Sequence, residues 1–319
     1  MRVTVIVAAY NAASSIKRAL DSALGQTVPD LELIVVDDAS TDKTADIVAA
    51  CMARDPRVRL IRSHNNLGPG GARNLALEAA RGDWIAVLDA DDRFSSDRLA
   101  RLLRIGESTQ ADMVADNLLL CDAGRRGNRP MFPPDSIPAD GSLDAIRFVD
   151  GNTAWSGSER CGYGYLKPLI RCSFLKKSGL RYDLTRFSED YLLYLRCLLH
   201  GARWTVTPDT TYEYTVTAHS ATIRHRAEDL VYLIERERGL LDQARVTADP
   251  ALAAAMDRHL RSVERALDWF RFAEAVKNRD LVPAVVQLFR GPGSTTHILR
   301  QGLVALTRAV ARFRQSAHR

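Results

Sequence analysis

Trp84-Ile85-Ala86-Val87-Leu88-Asp89-Ala90-Asp91-Asp92 is a short apolar run that ends abruptly in three acids. A run of this length, bounded by polar residues, reads as a strand buried on both faces, the kind that parallel sheets contain. Upstream lie three more such runs, Val3 to Ala9, Leu31 to Val36 and Val58 to Arg62. Helical patterns separate them. Ser14 or Ser15 is placed to cap a helix whose apolar positions are Ile16, Ala19, Leu20 and Ala23, Asp42-Lys43-Thr44 starts a second that runs to about Met52, and a third covers Ala72 to Ala80. Strands that alternate with helices give an α/β domain with a parallel sheet and right-handed crossovers. In such sheets ligands gather at the carboxyl ends of the strands. Tyr10, Asp37, Asp38 and the acids at 89 to 92 all fall there, so the pattern implies one site.

Asp89, Asp91 and Asp92 crowd negative charge into four residues, which is unfavourable in a confined place without a cation. Carboxylate oxygens suit Mg²⁺ or Mn²⁺, which bind one or two carboxylates together with the phosphates of a substrate. The bland alternative is a strand end in solvent with Asp92 capping the next turn. Asp37-Asp38 likewise has two readings: a capping pair, or an acceptor for ribose or base at the end of a second parallel strand. Gly68-Pro69-Gly70-Gly71 precedes the third helix, where free N–H groups can meet an anion. It does not follow the first strand and lacks GxGxxG, which argues against dinucleotide binding.

Downstream, Met113 to Leu120 reads as a further strand and Gly124 to Gly141 as a Gly- and Pro-rich loop. Residues 150 to 220 mix aromatics, glycines and short strands, and from Glu228 the chain is helical almost to its end. The 319 residues suit one large domain with an appendage. The formal charge of +5, from 44 basic and 39 acidic residues, is unevenly placed. After Asp280 there is no acid but six arginines, which leaves the first 280 residues at 38 minus 39, or −1. A nucleic-acid face on the main body is therefore not expected. Five scattered cysteines without a CxxC indicate neither a disulfide framework nor a zinc site. The start Met1-Arg2-Val3-Thr4-Val5-Ile6-Val7 lacks a signal-peptide core, and no apolar run approaches the roughly 18–20 residues of a membrane span. A cytoplasmic product is expected.

Val5-Ile6-Val7-Ala8-Ala9-Tyr10-Asn11, Leu33-Ile34-Val35-Val36-Asp37-Asp38-Ala39-Ser40-Thr41-Asp42, Asn66-Leu67-Gly68-Pro69-Gly70-Gly71-Ala72-Arg73-Asn74 and Leu88-Asp89-Ala90-Asp91-Asp92 resemble the inverting family 2 glycosyltransferases of bacterial polysaccharide biosynthesis, in the same order and at similar spacing. The likeness is strong over residues 3 to 105. It continues more weakly through Lys167-Pro168-Leu169-Ile170-Arg171 and Ser188-Glu189-Asp190-Tyr191-Leu192-Leu193. Ala8 stands where the family often has Pro, and Ala39 where it often has Gly.

The resemblance implies a GT-A fold, Rossmann-like and mostly parallel, with a helical C-terminal extension. A catalytic domain would span 1–222, as a nucleotide-binding half 1–105 and an acceptor half 106–222, followed by a helical region 223–319. The implied reaction moves a hexose from a nucleotide sugar, UDP-linked by expectation, to a saccharide or lipid-linked saccharide in envelope or exopolysaccharide synthesis, with Mn²⁺ or Mg²⁺. Tyr10 would flank the base, Asp38 would bond its edge or the ribose, and Arg73 would help hold the nucleotide. Asp89 would contact ribose or metal, and Asp91 would be the principal metal ligand. Asp190 would be the general base, with Glu189 as its alternative, and His219 a phosphate contact. Trp155, Tyr163 and Tyr165 are candidates to stack on an acceptor sugar or to be core aromatics. His225 and His259 read as structural or exposed.

In the tail Leu303, Leu306, Val310 and Phe313 recur at helical spacing, with Arg308 and Arg312 on the other side. Such a basic amphipathic helix lies on anionic lipid, here the cytosolic face of the inner membrane, or docks on protein. Two other functions stay open on sequence alone: a nucleotidyltransferase, and a non-catalytic nucleotide-sugar-binding scaffold of a membrane polysaccharide assembly.

Overall fold

The computed structural model describes residues 2–121, 127–153, 162–185, 187–216, 227–246, 249–288 and 293–302. Contacts divide the chain into one unit of residues 1–153 and 157–223 and another made chiefly of residues 224–319.

The first unit opens with β1 (Val3–Ala9), α1 (Ile16–Leu24), β2 (Leu31–Asp37), α2 (Thr44–Met52), β3 (Val58–Arg62), α3 (Gly68–Ala79) and β4 (Trp84–Val87). The four strands lie parallel in the order β3-β2-β1-β4, with Val3 opposite both Leu31 and Trp84. Side chains alternate across a strand. Val3, Val5, Val7, Leu31, Leu33 and Val35 thus share one core with Ile16, Ala19, Leu20 and Ala23 of α1. Burying each such aliphatic side chain contributes about 1.5–3 kcal/mol.

Two helix starts differ from the sequence expectation. Ser15 stands at the N-cap of α1, but its hydroxyl donates to the Ala12 carbonyl rather than accepting from the helix. α3 begins at Gly68 rather than Ala72. Asp38 accepts from the amides of Leu67 and Gly68, and Pro69 suits a first turn because its missing N–H would have no partner there.

The chain continues through β5 (Arg93–Phe94), α4 (Arg98–Ser108), β6 (Met113–Cys121), β7 (Arg129–Pro130), α5 (Ala145–Asn152), a 3₁₀ turn at Tyr163–Tyr165, β8 (Leu169–Arg171), α6 (Cys172–Ser178), α7 (Glu189–Leu199) and β9 (Trp204–Thr215). The sheet extends past β4 as β8-β6-β9-β5, with β7 on β6. Here it is mixed, not parallel: β8 runs against both β4 and β6, whereas β6 and β9 are parallel. Lys167 stands at the carboxyl end of β4, so a chain that enters β8 from there must run against β4.

In the second unit, α8 (Ala227–Val246), α9 (Pro250–Lys277) and α10 (Leu281–Leu288) follow one another. Asp249 caps α9 through the Leu252 amide at 2.9 Å. Leu230, Leu233, Ile234 and Leu241 are buried on α8, as are Leu252, Met256, Leu260, Val263 and Leu267 on α9, the spacing of helices packed through one face. His259 belongs to that interior, with Nδ1 2.7 Å from Glu237 Oε1. No helix among the described residues is long and apolar enough to cross a membrane. The amphipathic stretch 303–319 and His225 lie outside the described residues.

Candidate active site

Every functional side chain described here is set by the carboxyl edge of the sheet or by an element that packs over it. At the end of β1, Tyr10 is 53% exposed on the lip of the cleft. Beside it the Asn11 amide donates to Ser40 Oγ at 2.9 Å and Asn11 Oδ1 accepts from the Thr41 amide at 2.8 Å, which ties the first two loops together. Both oxygens of Asp38 are engaged by backbone, Oδ1 by the Leu67 amide at 2.8 Å and Oδ2 by the Gly68 amide at 2.9 Å. Of the two sequence readings of this residue, the structure displays the cap. Asp37 is buried without a hydrogen bond to its carboxylate among the described residues, and Arg62 Nε lies 3.6 Å away.

The centre of the site is a cluster that links four distant stretches of chain. Arg73, on α3 and only 4% exposed, donates through Nη2 to Asp89 at 2.7 Å and through Nη1 to Glu189 at 2.9 Å and Asp190 at 2.8 Å. Lys167 Nζ lies 2.6 Å from Asp190 Oδ2 and 2.9 Å from Asp89 Oδ2. The Arg73 guanidinium is thus directed at three carboxylates inside the protein, and each oxygen of Asp89 faces a cation.

Two features aim Glu189 and Asp190 at that cluster. They occupy the first turn of α7, where acids complement the helix dipole. Ser188 before them is left-handed at φ 61°, a strained backbone of the kind that persists where the surroundings over-determine it. The segment leading there is held against α3. Asn74 pairs with the backbone of Tyr182 through two 2.9 Å bonds, and a Cβ added to Gly70 would stand 2.1 Å from the Asp183 carbonyl oxygen. That approach requires the glycine.

The acids after β4 are held differently from one another. Asp92 is 2% exposed and accepts from Tyr212 Oη at 2.8 Å and from the Thr215 amide at 2.8 Å. Tyr212 Oη in turn accepts from the Asp89 amide at 3.1 Å. The Asp91 carboxylate accepts from its own backbone amide, and the Asp91 carbonyl accepts from Arg18 at 3.3 Å.

Titration follows these placements. Burial alone would raise the carboxyl of Asp89, but Lys167 and Arg73 outweigh it and hold the group well below the usual carboxylate range. Burial lowers the proton affinity of Lys167, yet Asp190 and Asp89 reverse this and keep it charged. Asp91 is raised by burial and then by the charge of Asp89, and Asp92 is raised further, by burial, Asp89 and Asp91. Glu189 is raised by burial and by Asp190.

Among the described residues no three acid, histidine or cysteine side chains form a group that holds a metal ion by itself. The donor set still fits one. Asp91 is a half-buried carboxylate that makes no ion pair among the described residues, and burial and Asp89 together outweigh what favours its ionised form. A magnesium-like ion needs only one or two carboxylates beside substrate phosphates. Asp91 could hold such an ion, whereas Asp89 would have to release Arg73 or Lys167 to join.

Tyr10, Asp38, Asp89 and Asp91, expected at this edge, and Arg73, Glu189 and Asp190, assigned to the site by the family resemblance, all lie here. His219 and Trp155 lie outside the described residues. Tyr163 is buried, with its hydroxyl on the Ser136 carbonyl and its ring edge-on to Phe132, so it belongs to the core. Tyr165 also packs against the core. Lys167 and Tyr212 were not foreseen as site residues, although Lys167 falls inside a segment that carries the family likeness, Lys167-Pro168-Leu169-Ile170-Arg171.

Residues 4–162 match the model of the glycosyl transferase family 2. The succinoglycan biosynthesis protein ExoO of Rhizobium meliloti is 35% identical over 312 residues, which cover 98% of this chain and 88% of ExoO. Among solved structures, residues 1–349 of S. aureus TarS in complex with UDP superpose with a TM-score of 0.64 at 20% identity, over 95% of this chain and 92% of that one. The mannosyltransferase PcManGT of Pyrobaculum calidifontis, in complex with GDP-Man and Mn²⁺, gives 0.57 at 20% identity, over 95% and 85%. These likenesses identify the fold as GT-A. With an ExoO-like sequence along nearly its whole length and that fold around an intact acid cluster, the chain belongs to the family 2 glycosyltransferases.

Proposed function

We propose that this glycosyltransferase moves a hexose from a UDP-linked donor to a hydroxyl of a saccharide or lipid-linked saccharide, in the synthesis of an envelope or extracellular polysaccharide. The observation that carries the reading is the joining of Asp89, Arg73, Lys167, Glu189 and Asp190 into one cluster beside Asp91. Tyr10 flanks the nucleobase and Asp38 bonds its edge or the ribose. ExoO supports the polysaccharide context by its name, and TarS, solved with UDP, supports a uridine donor.

The chemistry follows from the groups present. An acceptor hydroxyl has a high pKa, so a carboxylate must take its proton as the new bond forms, an assistance of about 10²- to 10⁴-fold. Asp190 is that base, with Glu189 as the alternative; Arg73 and Lys167 fix where it points. One base on the face opposite the departing diphosphate gives a single displacement with inversion, and no protein nucleophile is needed. A divalent ion on Asp91 would supply electrostatic stabilisation of the diphosphate as charge develops there.

The test is a screen of UDP-hexoses for Mn²⁺-dependent release of UDP, followed by Asp190→Asn. The variant should bind donor and lose most transfer. Near-normal turnover would remove Asp190 from the role and favour Glu189, and absence of UDP release from every donor would refute the reading.

We place the enzyme on the cytosolic membrane face. After Asp280 the sequence carries six arginines and no acid, and α10 exposes Val282 (74%), Val285 (53%) and Val286 (58%) on one side. Apolar residues with adjacent positive charge suit an anionic lipid surface. Flotation with anionic liposomes compares the full chain with one ending at Gly293; equal partitioning rejects this placement.

A further inference from the structure

We propose that Arg98 and Tyr212 are positioning residues, forming the buried link that sets the acid loop 89–92 against the base Asp190. The inference rests on the proposed roles of that loop and of Asp190.

Arg98 opens α4 and is 0% exposed, as is its partner Asp116 on β6. Its Nε and Nη2 reach the Asp116 carboxylate at 2.7–3.2 Å, and Nη2 also donates to the Lys167 carbonyl at 2.7 Å. The guanidinium lies 4.6 Å from the ring centroid of Phe94 and 5.1 Å from that of Tyr212. Thr211, the neighbour of Tyr212, donates from both its amide and its hydroxyl to Asp116 Oδ2. The contacts therefore close a ring. Tyr212 Oη fixes Asp92 and the Asp89 amide, Arg98 stacks on Tyr212 and fixes the backbone of Lys167, and the Lys167 ammonium fixes Asp89 and Asp190.

The ion pair by itself does not explain this arrangement, since a fully buried pair often gains nothing over apolar side chains of similar volume. Apolar residues at 98 and 116 would leave the Thr211 amide and hydroxyl and the Lys167 carbonyl without these partners. What Arg98 adds is a fixed origin for the Lys167 side chain, and hence a fixed distance between the two sides of the site. Misplacing a reacting group by about 1 Å can lower the rate about 10²-fold. Neither Arg98 nor Tyr212 touches the reacting groups, so the effect should fall on kcat and leave donor binding nearly intact.

The test compares the unaltered enzyme with Arg98→Met/Asp116→Asn, which removes both charges together so that no buried charge is left alone, and with Tyr212→Phe, which keeps the stack and loses the hydroxyl. UDP-glucose, UDP-galactose and UDP-N-acetylglucosamine with Mn²⁺ are the probes, with UDP release and thermal unfolding as readouts. The expected result is a kcat about 10²-fold lower in the double variant and about 10-fold lower in Tyr212→Phe. Donor KM should stay within about threefold and the melting temperature of the double variant near that of the unaltered chain. Unchanged kcat in the folded double variant overturns the proposal, as does a loss of rate that vanishes once it is corrected for the folded fraction. If the unaltered enzyme releases no UDP, the parent reading fails and this one with it.

Discussion

Arg73→Lys keeps the positive charge at the centre of the site and removes only its shape. The guanidinium serves two sides at once, Nη2 the Asp89 carboxylate after β4 and Nη1 both acids of α7. An ammonium is a single point and can stay with one side. If it follows α7 one charge-assisted bond is lost; if it follows β4 two are lost. At about 1.5–3 kcal/mol for each such bond the cost is about 2–6 kcal/mol. Taking about 3 kcal/mol, and about 2–4 °C per kcal/mol for a unit of this size, the melting temperature should fall by about 6–12 °C. Transfer should fall about 10²-fold, because the side that the ammonium leaves loses its fixed partner and the two sides are no longer tied together. Calorimetry and steady-state UDP release measure the two effects. A variant that melts within about 2 °C of the parent and turns over within about threefold of it would show that charge alone organises the cluster, and the fork geometry argued here would be wrong.

Gly70→Ala should cost about 3 kcal/mol and depress activity with it, since the new Cβ meets the Asp183 carbonyl at 2.1 Å and backbone must move; urea denaturation checks it. Ala39→Gly should stabilise the fold by about 1 kcal/mol, because Ala39 sits at φ 61° in the loop after β2 and a Cβ is disfavoured there; an unchanged unfolding midpoint argues that the loop relaxes instead. The His297 imidazole is lowered from 6.5 by burial, with Arg265 and Arg300 adding to it. The unfolded chain therefore takes up this proton first, and stability is lost as pH falls from about 6.5 through the lower folded value. His297→Gln should flatten that loss, as measured by urea melts at pH 7.5 and 5.5; an identical acid loss in the variant excludes His297 as its source.

What the sequence reveals of this molecule follows from the range of its physics. Strands β1 to β4 are evident because each is a buried apolar run bounded by turn residues, a local signal. The direction of β8 is not evident, because it depends on Lys167 arriving at the far end of β4, a matter of three-dimensional arrangement. The acids are visible at once as Asp89, Asp91, Asp92, Glu189 and Asp190. Their partners are not: Arg73 precedes Asp89 by 16 residues and Asp190 by 117, and nothing local says that the three meet. Lys167 and Tyr212 escape for the same reason. A lysine before a proline and a tyrosine in a strand are common, and only the curl of the sheet gives them roles. Tyr163 misleads in the other direction, since an aromatic among glycines suits a sugar platform and a core wall equally until its hydroxyl is found on Ser136.

The division of charge within the cleft connects these parts. Asp89 and Asp190 share the cations Arg73 and Lys167, and Glu189 takes a third contact with Arg73. Among the described residues no ion pair is made by Asp91, whose carboxyl is raised by burial and by Asp89, or by Asp92, whose hydrogen bonds to Tyr212 and Thr215 leave it raised all the same. Arg73 and Lys167 are thus placed on Asp89, Glu189 and the proposed base Asp190 rather than on Asp91. Two phosphates brought beside Asp91 would add negative charge to a carboxylate that is already under-compensated, at a short separation and in partial burial, where repulsion is weakly screened. A donor can lie there only if positive charge comes with it. A divalent cation shared between Asp91 and the diphosphate meets that need, while a monovalent one leaves a surplus of negative charge. On the proposed function, the need for such an ion would arise from the commitment of Arg73 and Lys167 to Asp190, not from the acidic motif taken alone.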